Sequence, residues 1–518
     1  MNASNSLIRE ESWQPLGVDN LETTADQVVR SDDSCSVIAG PGAGKTELLA
    51  QKAAYLLQTG KCPYPRRILA ISFKTSSAKN LGERIKNRCR SDQAVRFHSM
   101  TYDAFAKSLL DRFCMAIPQP WRPSPDYQIL FPKNDTWQKF LNGLDNPPVQ
   151  FSGRAALNSI RGDYGKAKEF ERLISSFQIP DEWPTLTKIK GWAMIEWWHR
   201  ALHGAQSTLT FPMIQRLAEY LLRTNPRIID ALRITYAHVF LDEFQDTTKP
   251  QYQLVKTAFQ CYDTRMTAVG DHKQKIMAWA GAMPAIFDEF NTDFSAERKE
   301  LRYNYRSVPE LVKIQHNLAV AIDPEAIQAQ SQRTKTLSVQ HCAVWDFPSR
   351  EEEADHLVKF IMESRQLGIE PREIVLLVRQ KADEMEKFLR PIFSQNGISL
   401  RNEARTLSKG VAIQELWSET LVELVMSFLK FGSVKRDHQQ WRSCYDQLAE
   451  IRAIDPDDER GNRRLQDALG KFHKSLYSQM QDKYSGNDTV RSLVADILHF
   501  LPEYNLISSV PQYQHGEW

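Results

Sequence analysis

Several features that mark other protein classes are missing from this sequence. No stretch approaches the roughly 20 consecutive apolar residues that a membrane-spanning helix needs, and the opening MNASNSLIREESW has no apolar core of the kind found in secretory signals. The net charge of the 518-residue chain is only +2, so the chain is not basic overall. These absences predict a cytoplasmic protein that does not bind a membrane.

Cysteine is also sparse. Its copies are odd in number and widely scattered, which argues against both a disulfide framework and a zinc site. The composition, with 42% hydrophobic and 25% charged residues, is typical of globular proteins, and the length allows roughly three or four domains. The cysteines are Cys35, Cys62, Cys89, Cys114, Cys261, Cys342 and Cys444.

A glycine-rich loop, AGPGAGKT, stands between a predicted strand and a predicted helix. The apolar run 37–39 precedes the loop, and TELLAQKAAYLL follows it with apolar residues at helical spacing. The glycines let backbone N–H groups surround phosphates at a helix N-terminus. Lys45 is then predicted to reach the β- and γ-phosphates of ATP, and Thr46 to bind Mg²⁺. The predicted loop contacts are Ala39, Gly40, Pro41, Gly42, Ala43, Gly44, Lys45 and Thr46.

Two adjacent acids follow a second apolar strand in HVFLDEFQDT. The run 239–241 predicts a strand ending at Asp242 and Glu243, and parallel sheets present ligand-binding groups at this end of their strands. Asp242 is predicted to hold Mg²⁺ through water, and Glu243 to polarise the attacking water as general base. Adjacent surface acids are usually only solvated charges, but the upstream phosphate loop favours a nucleotide hydrolysis site.

These two motifs together resemble those of the UvrD/Rep branch of superfamily 1 DNA helicases, and further stretches follow in that family's order. LAISFKTSSAKNLGERI resembles motif Ia, which implies that Phe73 meets a base and that short polar residues such as Thr75 meet phosphate. SMTYDAFAKSLL is similar to motif Ib, which implies DNA contacts from Thr101 and Tyr102. Asp103 stands there in place of the histidine that many members carry.

Two later stretches extend the resemblance. AVGDHKQKIMAWAGA resembles motif III, which implies that Gln274 senses the γ-phosphate, that Asp271 holds the network around it, and that Trp279 stacks on a base. LRYNYRSVPELV resembles motif IV, which implies that Arg306 reaches the γ-phosphate and Tyr305 packs on the adenosine. Stacking on aromatics with charge neutralisation is how single strands are bound. The family resemblance therefore implies an ATP-dependent helicase or translocase moving 3′ to 5′ on single-stranded or partly duplex DNA.

Two further features bear on nucleotide and DNA recognition. The family's adenine-reading glutamine has no counterpart at the expected distance from the loop in NLETTADQVVR, and Gln14 and Gln27 are the available substitutes. Between residues 61 and 96, ten basic residues stand against two acidic ones. Such a run is usually a solvated helix face, but its position beside the motifs favours a DNA-phosphate surface.

The motif order predicts an α/β fold in which RecA-like P-loop parallel-sheet lobes carry large helical insertions. In the helical stretches, Trp192, Trp197 and Trp198 are interpreted as the core of a bundle, and the run from Ile374 to Val378 predicts a strand. The predicted layout is a first RecA-like domain in two parts (1–111 and 234–300), a helical accessory insertion (112–233), the N-terminal part of a second RecA-like domain (301–430) and a helical accessory region (431–518).

Two motifs of the family are not found in the sequence: motif V, of the form TxHxxKGLE, and motif VI, of the form YVxxTRA. The motif VI arginine would stabilise charge in phosphoryl transfer, and such a group is worth roughly 10³ to 10⁵ in rate. Three interpretations stay open: a motor, an ATP- and DNA-binding subunit with weak hydrolysis that needs a nuclease or another protein as partner, and a truncated helicase.

Overall fold

The computed structural model divides into two compact units, Met1–Ala343 and Val344–Trp518. Among the residues that it describes, no helix combines the length and the apolar character needed to cross a membrane. The described residues are 7–18, 20–132, 134–151, 154–161, 164–182, 184, 187–260, 263–278, 281–335, 342–405, 420–451, 459–481 and 487–500.

A parallel sheet organises the first unit. Its strand order is β3-β2-β6-β7-β1-β8, and every neighbouring pair is parallel. Strands β1 and β6 are buried along their whole length, as expected of a parallel sheet covered on both faces, and they confirm the strands predicted at 37–39 and 239–241. The strands are β1 (Cys35–Ala39), β2 (Arg67–Ser72), β3 (Phe97–Thr101), β4 (Gln128–Ile129), β5 (Thr208–Leu209), β6 (Tyr236–Asp242), β7 (Arg265–Gly270), β8 (Glu297–Leu301), β9 (Tyr303–Asn304) and β10 (Gln330–Ser331).

Helices cover the sheet and form most of the segment between β3 and β6. The helix after the phosphate loop lies between Gly44 and Gly60, and both glycines have the left-handed conformation that favours this residue at helix ends. The helices of this unit are α1 (Thr23–Arg30), α2 (Lys45–Thr59), α3 (Thr75–Arg88), α4 (Ser91–Ala94), α5 (Tyr102–Phe113), α6 (Asn134–Asn142), α7 (Arg154–Ile160), α8 (Tyr164–Ser176), α9 (Ile189–His203), α10 (Phe211–Thr224), α11 (Pro226–Thr235), α12 (Lys249–Phe259), α13 (Ile286–Phe294) and α14 (Pro309–Ile322).

The helical insertion has an aromatic core. Trp197 lies against Trp137, with ring centroids 4.4 Å apart, and Trp198 meets Trp121 edge to face at 5.8 Å. Trp192, Trp197 and Trp198 are all buried, which confirms their interpretation as core residues of the bundle. Together with the parallel sheet, this insertion confirms the predicted α/β fold class.

The first unit extends further along the chain than the predicted boundary at 300/301. The segment 301–343 belongs to this unit, because β8 pairs with β1 and the backbone that follows is held by the N-terminal region. The Glu22 carboxylate accepts hydrogen bonds from the backbone N–H groups of Arg302 and Tyr303, at 2.9 and 3.0 Å. The predicted domain boundaries all stay predictions.

The second unit is helical in its described residues. Four helices, α17 to α20, enclose a common apolar core, in agreement with the helices expected in this region, although residues 406–419 and 501–518 lie outside the described part. Its helices are α15 (Arg350–Gln366), α16 (Ala382–Gln395), α17 (Thr420–Ser433), α18 (His438–Ile451), α19 (Glu459–Gln481) and α20 (Asn487–Phe500).

The strand predicted from Ile374 to Val378 is wrong. Ile374 and Leu376 pack against the core between α15 and α16, whereas Val375 and Leu377 are 74% and 89% exposed. The side chains thus alternate as in a strand, but within the described residues this stretch has no strand pairing. Alternation alone fixes only which side chains face the helices, and a strand also requires a partner for its backbone groups.

Candidate nucleotide site and DNA-contact edge

The predicted functional residues gather at one edge of the sheet. Because all six strands are parallel, their carboxyl ends lie together, and ligands bind parallel sheets at this edge. The phosphate loop follows β1, Asp242 ends β6, and Gln274 follows β7. Phe73 follows β2 and Thr101 ends β3. The predicted nucleotide contacts and the described members of the predicted DNA contacts therefore share this edge.

The phosphate loop takes the bends that its glycines allow. Gly42 and Gly44 have φ angles of 76° and 83°, in the left-handed region. The Lys45 ammonium donates to the Ala39 carbonyl at 3.4 Å, so the side chain folds back over the loop. The α2 N-terminus behind the loop offers N–H groups and a partial positive charge to an anion. Gly40, Pro41 and Ala43 complete the loop, Thr46 lies in the first turn of α2, and their predicted phosphate and Mg²⁺ contacts stay predictions.

The loop is braced from outside by the segment after β8. The Asn304 side-chain amide donates to the Pro41 carbonyl at 2.9 Å, and the Tyr305 N–H donates to the Gly42 carbonyl at 2.9 Å. A Cβ added at Gly42 would lie 2.6 Å from Asn304 Oδ1 and 2.9 Å from Arg306 Cβ. Asn304 is thus a site residue that the sequence did not single out, although it lies within the quoted motif IV stretch.

Tyr305 and Arg306 stand beside this loop with exposed side chains. Partial burial, followed by the Glu22 carboxylate, raises the pKa of the Tyr305 phenol, while a hydrogen bond to the Glu22 backbone opposes this. Their predicted contacts with adenosine and γ-phosphate stay predictions. Gln14 and Gln27, the suggested substitutes for the adenine-reading glutamine, are both exposed.

Asp242 is buried and only half satisfied. Its Oδ1 accepts from the Glu243 N–H at 3.0 Å, while its Oδ2 has no hydrogen-bond partner. Burial and then the neighbouring Glu243 carboxylate raise the pKa of Asp242 to about 6, partly offset by the Lys45 ammonium. A buried carboxylate oxygen without a partner destabilises the fold unless a cation or donor meets it. This unpartnered oxygen fits the presence of Mg²⁺, and the predicted roles of Thr46 as its ligand and of Asp242 through water stay predictions.

Glu243 has a strained backbone and a positioned side chain. Its φ and ψ angles of 50° and 43° lie in the left-handed region, which glutamate rarely adopts. The Gln245 amide donates to Glu243 Oε2 at 2.8 Å and accepts from the Asp271 N–H at 3.1 Å. Sequence reasoning missed Gln245, although it lies inside the DEFQDT motif. Gly270 at the end of β7 leaves the space that its amide fills.

Asp271 holds a small network, as predicted. Its carboxylate accepts from the Gln274 side-chain amide at 2.9 Å and from the Lys273 N–H at 3.0 Å. Through Gln245, this network is connected to Glu243. The γ-phosphate contact of Gln274 stays a prediction. Gln274 is nevertheless connected to Glu243, the predicted general base, by a continuous series of hydrogen bonds.

The residues predicted to touch DNA differ in their accessibility. Thr75 is exposed at the start of α3, Phe73 is half-buried, and the Thr101 hydroxyl caps α5 by accepting from the Ala104 N–H. Tyr102 is 1% exposed, and its hydroxyl forms a hydrogen bond with Thr247 in the core. The predicted DNA contact of Tyr102 is therefore wrong, because its side chain packs inward from the first turn of α5.

A sequence comparison decides the family. The UvrD/REP helicase N-terminal domain matches residues 21–295, more than half of the chain. The chain belongs to the UvrD/Rep helicase family. Trp279, the predicted base-stacking residue of motif III, lies within this match but outside the described residues.

Curated members of the UvrD/Rep family align with most of this chain. A probable DNA helicase II homolog from Mycoplasma capricolum subsp. capricolum is 27% identical over 81% of this chain and 56% of its own length. The ATP-dependent DNA helicase PcrA of Staphylococcus epidermidis is 24% identical over 70% of this chain and 48% of its own length. DNA helicase II of Escherichia coli K12 is 26% identical over 53% and 37%. The chain thus spans about half the length of the curated relatives it matches.

Two sequence features have structural roles in this UvrD/Rep protein. Asp103, which replaces the family's histidine, accepts from the Gln215 amide at 2.6 Å, and burial raises its pKa. Most of the basic run 61–96 is paired within the protein, and its interpretation as a DNA-phosphate surface stays a prediction. The paired residues include Lys61, Arg66, Arg67, Arg84, Arg88, Arg90 and Arg96.

Proposed function

We propose that this chain couples ATP hydrolysis to 3′ to 5′ movement on single-stranded DNA. The observation that carries the proposal is Asp242, whose buried carboxylate has one oxygen without a partner beside Glu243. The Lys45 ammonium is close enough to oppose, in part, the rise in the pKa of this carboxyl that burial causes. A cation-binding acid, a base and a phosphate-binding lysine at one sheet edge are the components that nucleotide hydrolysis requires.

Each residue has a defined role in this proposal. The loop N–H groups and Lys45 bind the phosphates, and Thr46 and Asp242 hold Mg²⁺, which supplies charge neutralisation when bound. Glu243 accepts the proton of the attacking water, with its carboxylate oriented by Gln245. Gln274 and Arg306 contact the γ-phosphate, and Tyr305 packs on the adenosine.

The same edge supports coupling to DNA. Phe73 and Trp279 stack on bases, and Thr75 and Thr101 contact the backbone of the strand. The elements that carry Phe73 and Thr101 adjoin the nucleotide site, because β2 pairs with β3 on one side and with β6 on the other, up to the pair Ser72 and Asp242. The bound nucleotide can therefore change how tightly the protein holds a DNA base, and movement along a strand requires such a change.

DNA-stimulated ATPase activity of the chain alone tests the proposal. We expect stimulation by single-stranded DNA that is lost in Lys45→Ala and Glu243→Gln. Lys359→Ala and Glu363→Gln are matched controls, since this exposed pair lies on α15 in the second unit. Unwinding of a 3′-tailed but not a 5′-tailed duplex tests the direction. The proposal would be refuted if the purified protein bound no ATP analogue in the presence of Mg²⁺.

Trp279→Ala tests the stacking role separately. This variant should keep its nucleotide affinity but lose the DNA stimulation of hydrolysis, because only the contact with a base is removed. DNA stimulation equal to that of the unmodified chain would refute the assignment. Trp345→Ala is the matched control, because it changes a 43% exposed tryptophan in the second unit. A buried aromatic residue such as Phe290 would not serve, because its loss would also destabilise the core.

A second candidate is an ATP- and DNA-binding subunit that hydrolyses ATP only with a partner protein. It is favoured by the second unit, in whose described residues there is no strand, and by the missing motif VI arginine. In this case the chain binds an ATP analogue and DNA but shows no stimulated turnover. Turnover restored by an added protein that contributes an arginine would distinguish this candidate from the motor.

A further inference from the structure

Glu47, in the first turn of α2, lies at the centre of a charged cluster. Its carboxylate accepts from Arg84 and, through both oxygens, from the Arg88 guanidinium at 2.9 and 3.0 Å. The Gln51 amide donates to the same carboxylate at 2.7 Å. We call Glu47, Gln51, Arg84 and Arg88 the Glu47 cluster. It joins α2, which carries Lys45 and Thr46, to α3, which begins at Thr75.

The Glu47 cluster also holds the segment that precedes α1. The Gln51 side chain exchanges two hydrogen bonds with the Leu16 backbone, at 2.7 and 3.0 Å, and Arg88 Nε donates to the Leu16 carbonyl at 3.1 Å. Further along, Glu22 fixes the backbone that leads to Tyr305. The cluster therefore connects three elements around the predicted nucleotide and DNA contacts.

We propose that the Glu47 cluster is a positioning contact that transmits nucleotide state from α2 to the DNA-contacting end of α3. This inference rests on the proposed function. The Glu47 and Arg88 side chains are only 17% and 15% exposed, so their attraction is screened less than that of a surface pair. A helix moves as a rigid element, so a shift at Arg84 and Arg88 displaces Thr75 at its other end.

The geometry distinguishes this cluster from ordinary surface ion pairs. Two arginines one helical turn apart on α3 share one carboxylate on α2, and Arg88 binds it through both oxygens. The Nη2 nitrogen of Arg88 donates to both oxygens while its Nε donates to the Leu16 carbonyl, so one guanidinium joins α2, α3 and the segment before α1. If a bound nucleotide displaces the first turn of α2, Glu47 moves with it, and its contacts with Arg84 and Arg88 displace α3 as well. The pair Lys190–Glu169 in the insertion, with side chains 50% and 60% exposed, has no comparable arrangement.

Thermodynamic coupling between the two ligands tests the proposal. The affinity for a fluorescent ADP with Mg²⁺ is measured with and without saturating oligo(dT), and the ratio of the two dissociation constants reports the coupling. Coupled sites typically show ratios of about 5- to 150-fold. We expect Glu47→Gln to bring the ratio to within about twofold of unity, while each ligand alone binds within about threefold of the unmodified chain. Glu169→Gln is the matched control and should keep the full ratio.

The outcomes separate this inference from the proposed function. An unmodified chain that binds no nucleotide refutes both. A chain that binds both ligands but shows no coupling, or a Glu47→Gln variant that couples fully, refutes only the positioning role. If Glu47→Gln fails to fold, Arg84→Gln removes the more exposed arm and should still reduce the ratio; an unchanged ratio there overturns the proposal. Combining Glu47→Gln with Arg88→Gln should cause no further loss, because both act through one contact.

Discussion

Replacing Asp242 by asparagine should stabilise the ligand-free protein, and the gain should depend on pH. The pKa of Asp242 is about 6 in the fold against an ordinary 3.8. At about 1.4 kcal/mol per pH unit, ionising this buried carboxyl costs the fold about 3 kcal/mol. Because the folded state binds the proton more tightly than the unfolded state, stability falls as pH rises from about 4 to about 6 and is then constant. Asparagine avoids this cost and keeps an oxygen for the Glu243 N–H.

The measurement is the free energy of unfolding in urea at about pH 5 and about pH 7.5, without nucleotide. At pH 5 the folded carboxyl is mostly protonated, so the advantage of Asp242→Asn should be smaller there by about 1.4 kcal/mol. With Mg²⁺ and ADP present at pH 7.5, the unmodified protein should have a higher free energy of unfolding than Asp242→Asn, since the cation stabilises the ionised aspartate. An advantage that is equal at both pH values would refute the role assigned to the buried charge.

Three further substitutions test other parts of the first unit. Glu22→Gln removes the charge that two backbone N–H groups share, so unfolding in urea should show a loss of about 1.5–3 kcal/mol, against little change for the exposed Glu363→Gln. Trp198→Ala should cost about 3–5 kcal/mol by opening a cavity in the insertion, seen as faster proteolysis there with unchanged nucleotide affinity; equal proteolysis would argue against its core role. Gly42→Ala should weaken nucleotide binding at least about tenfold, corresponding to about 1.4 kcal/mol, because the new methyl group meets Asn304. Gly368→Ala carries a similar positive φ in open space, so a comparable loss in that control would contradict the steric explanation.

The candidate nucleotide site was the most predictable part of the molecule. Its residues are determined by short-range spacing: a strand, a glycine loop and a helix for Lys45, and a strand end for Asp242. Parallel pairing of the strands then brings these positions to one edge, as a family resemblance implied. The Trp-rich core of the insertion followed from the same local reasoning, because large aromatic side chains at helical spacing are most often buried.

The features that depend on distant partners were not predictable from local pattern. The alternation from Ile374 to Val378 indicated a strand, but strand pairing depends on other parts of the chain. Tyr102 matched a family motif, yet its direction is set by packing against Thr247. The basic run 61–96 has the charge expected of a phosphate surface, but some of its residues pair with groups distant in sequence, as Arg84 and Arg88 do with Glu47. Gln245 went unnoticed because its role exists only once β6 and β7 are adjacent.

Glu243 is proposed to act as the catalytic base, but its left-handed backbone lowers the stability of the fold. Glycine, or asparagine to a lesser degree, would occupy this position with less strain, by an amount on the order of 1 kcal/mol. A search for thermostable variants that ignores activity should therefore favour such replacements at position 243. Retention of glutamate under that kind of screen would indicate that its contact with Gln245 outweighs the backbone strain.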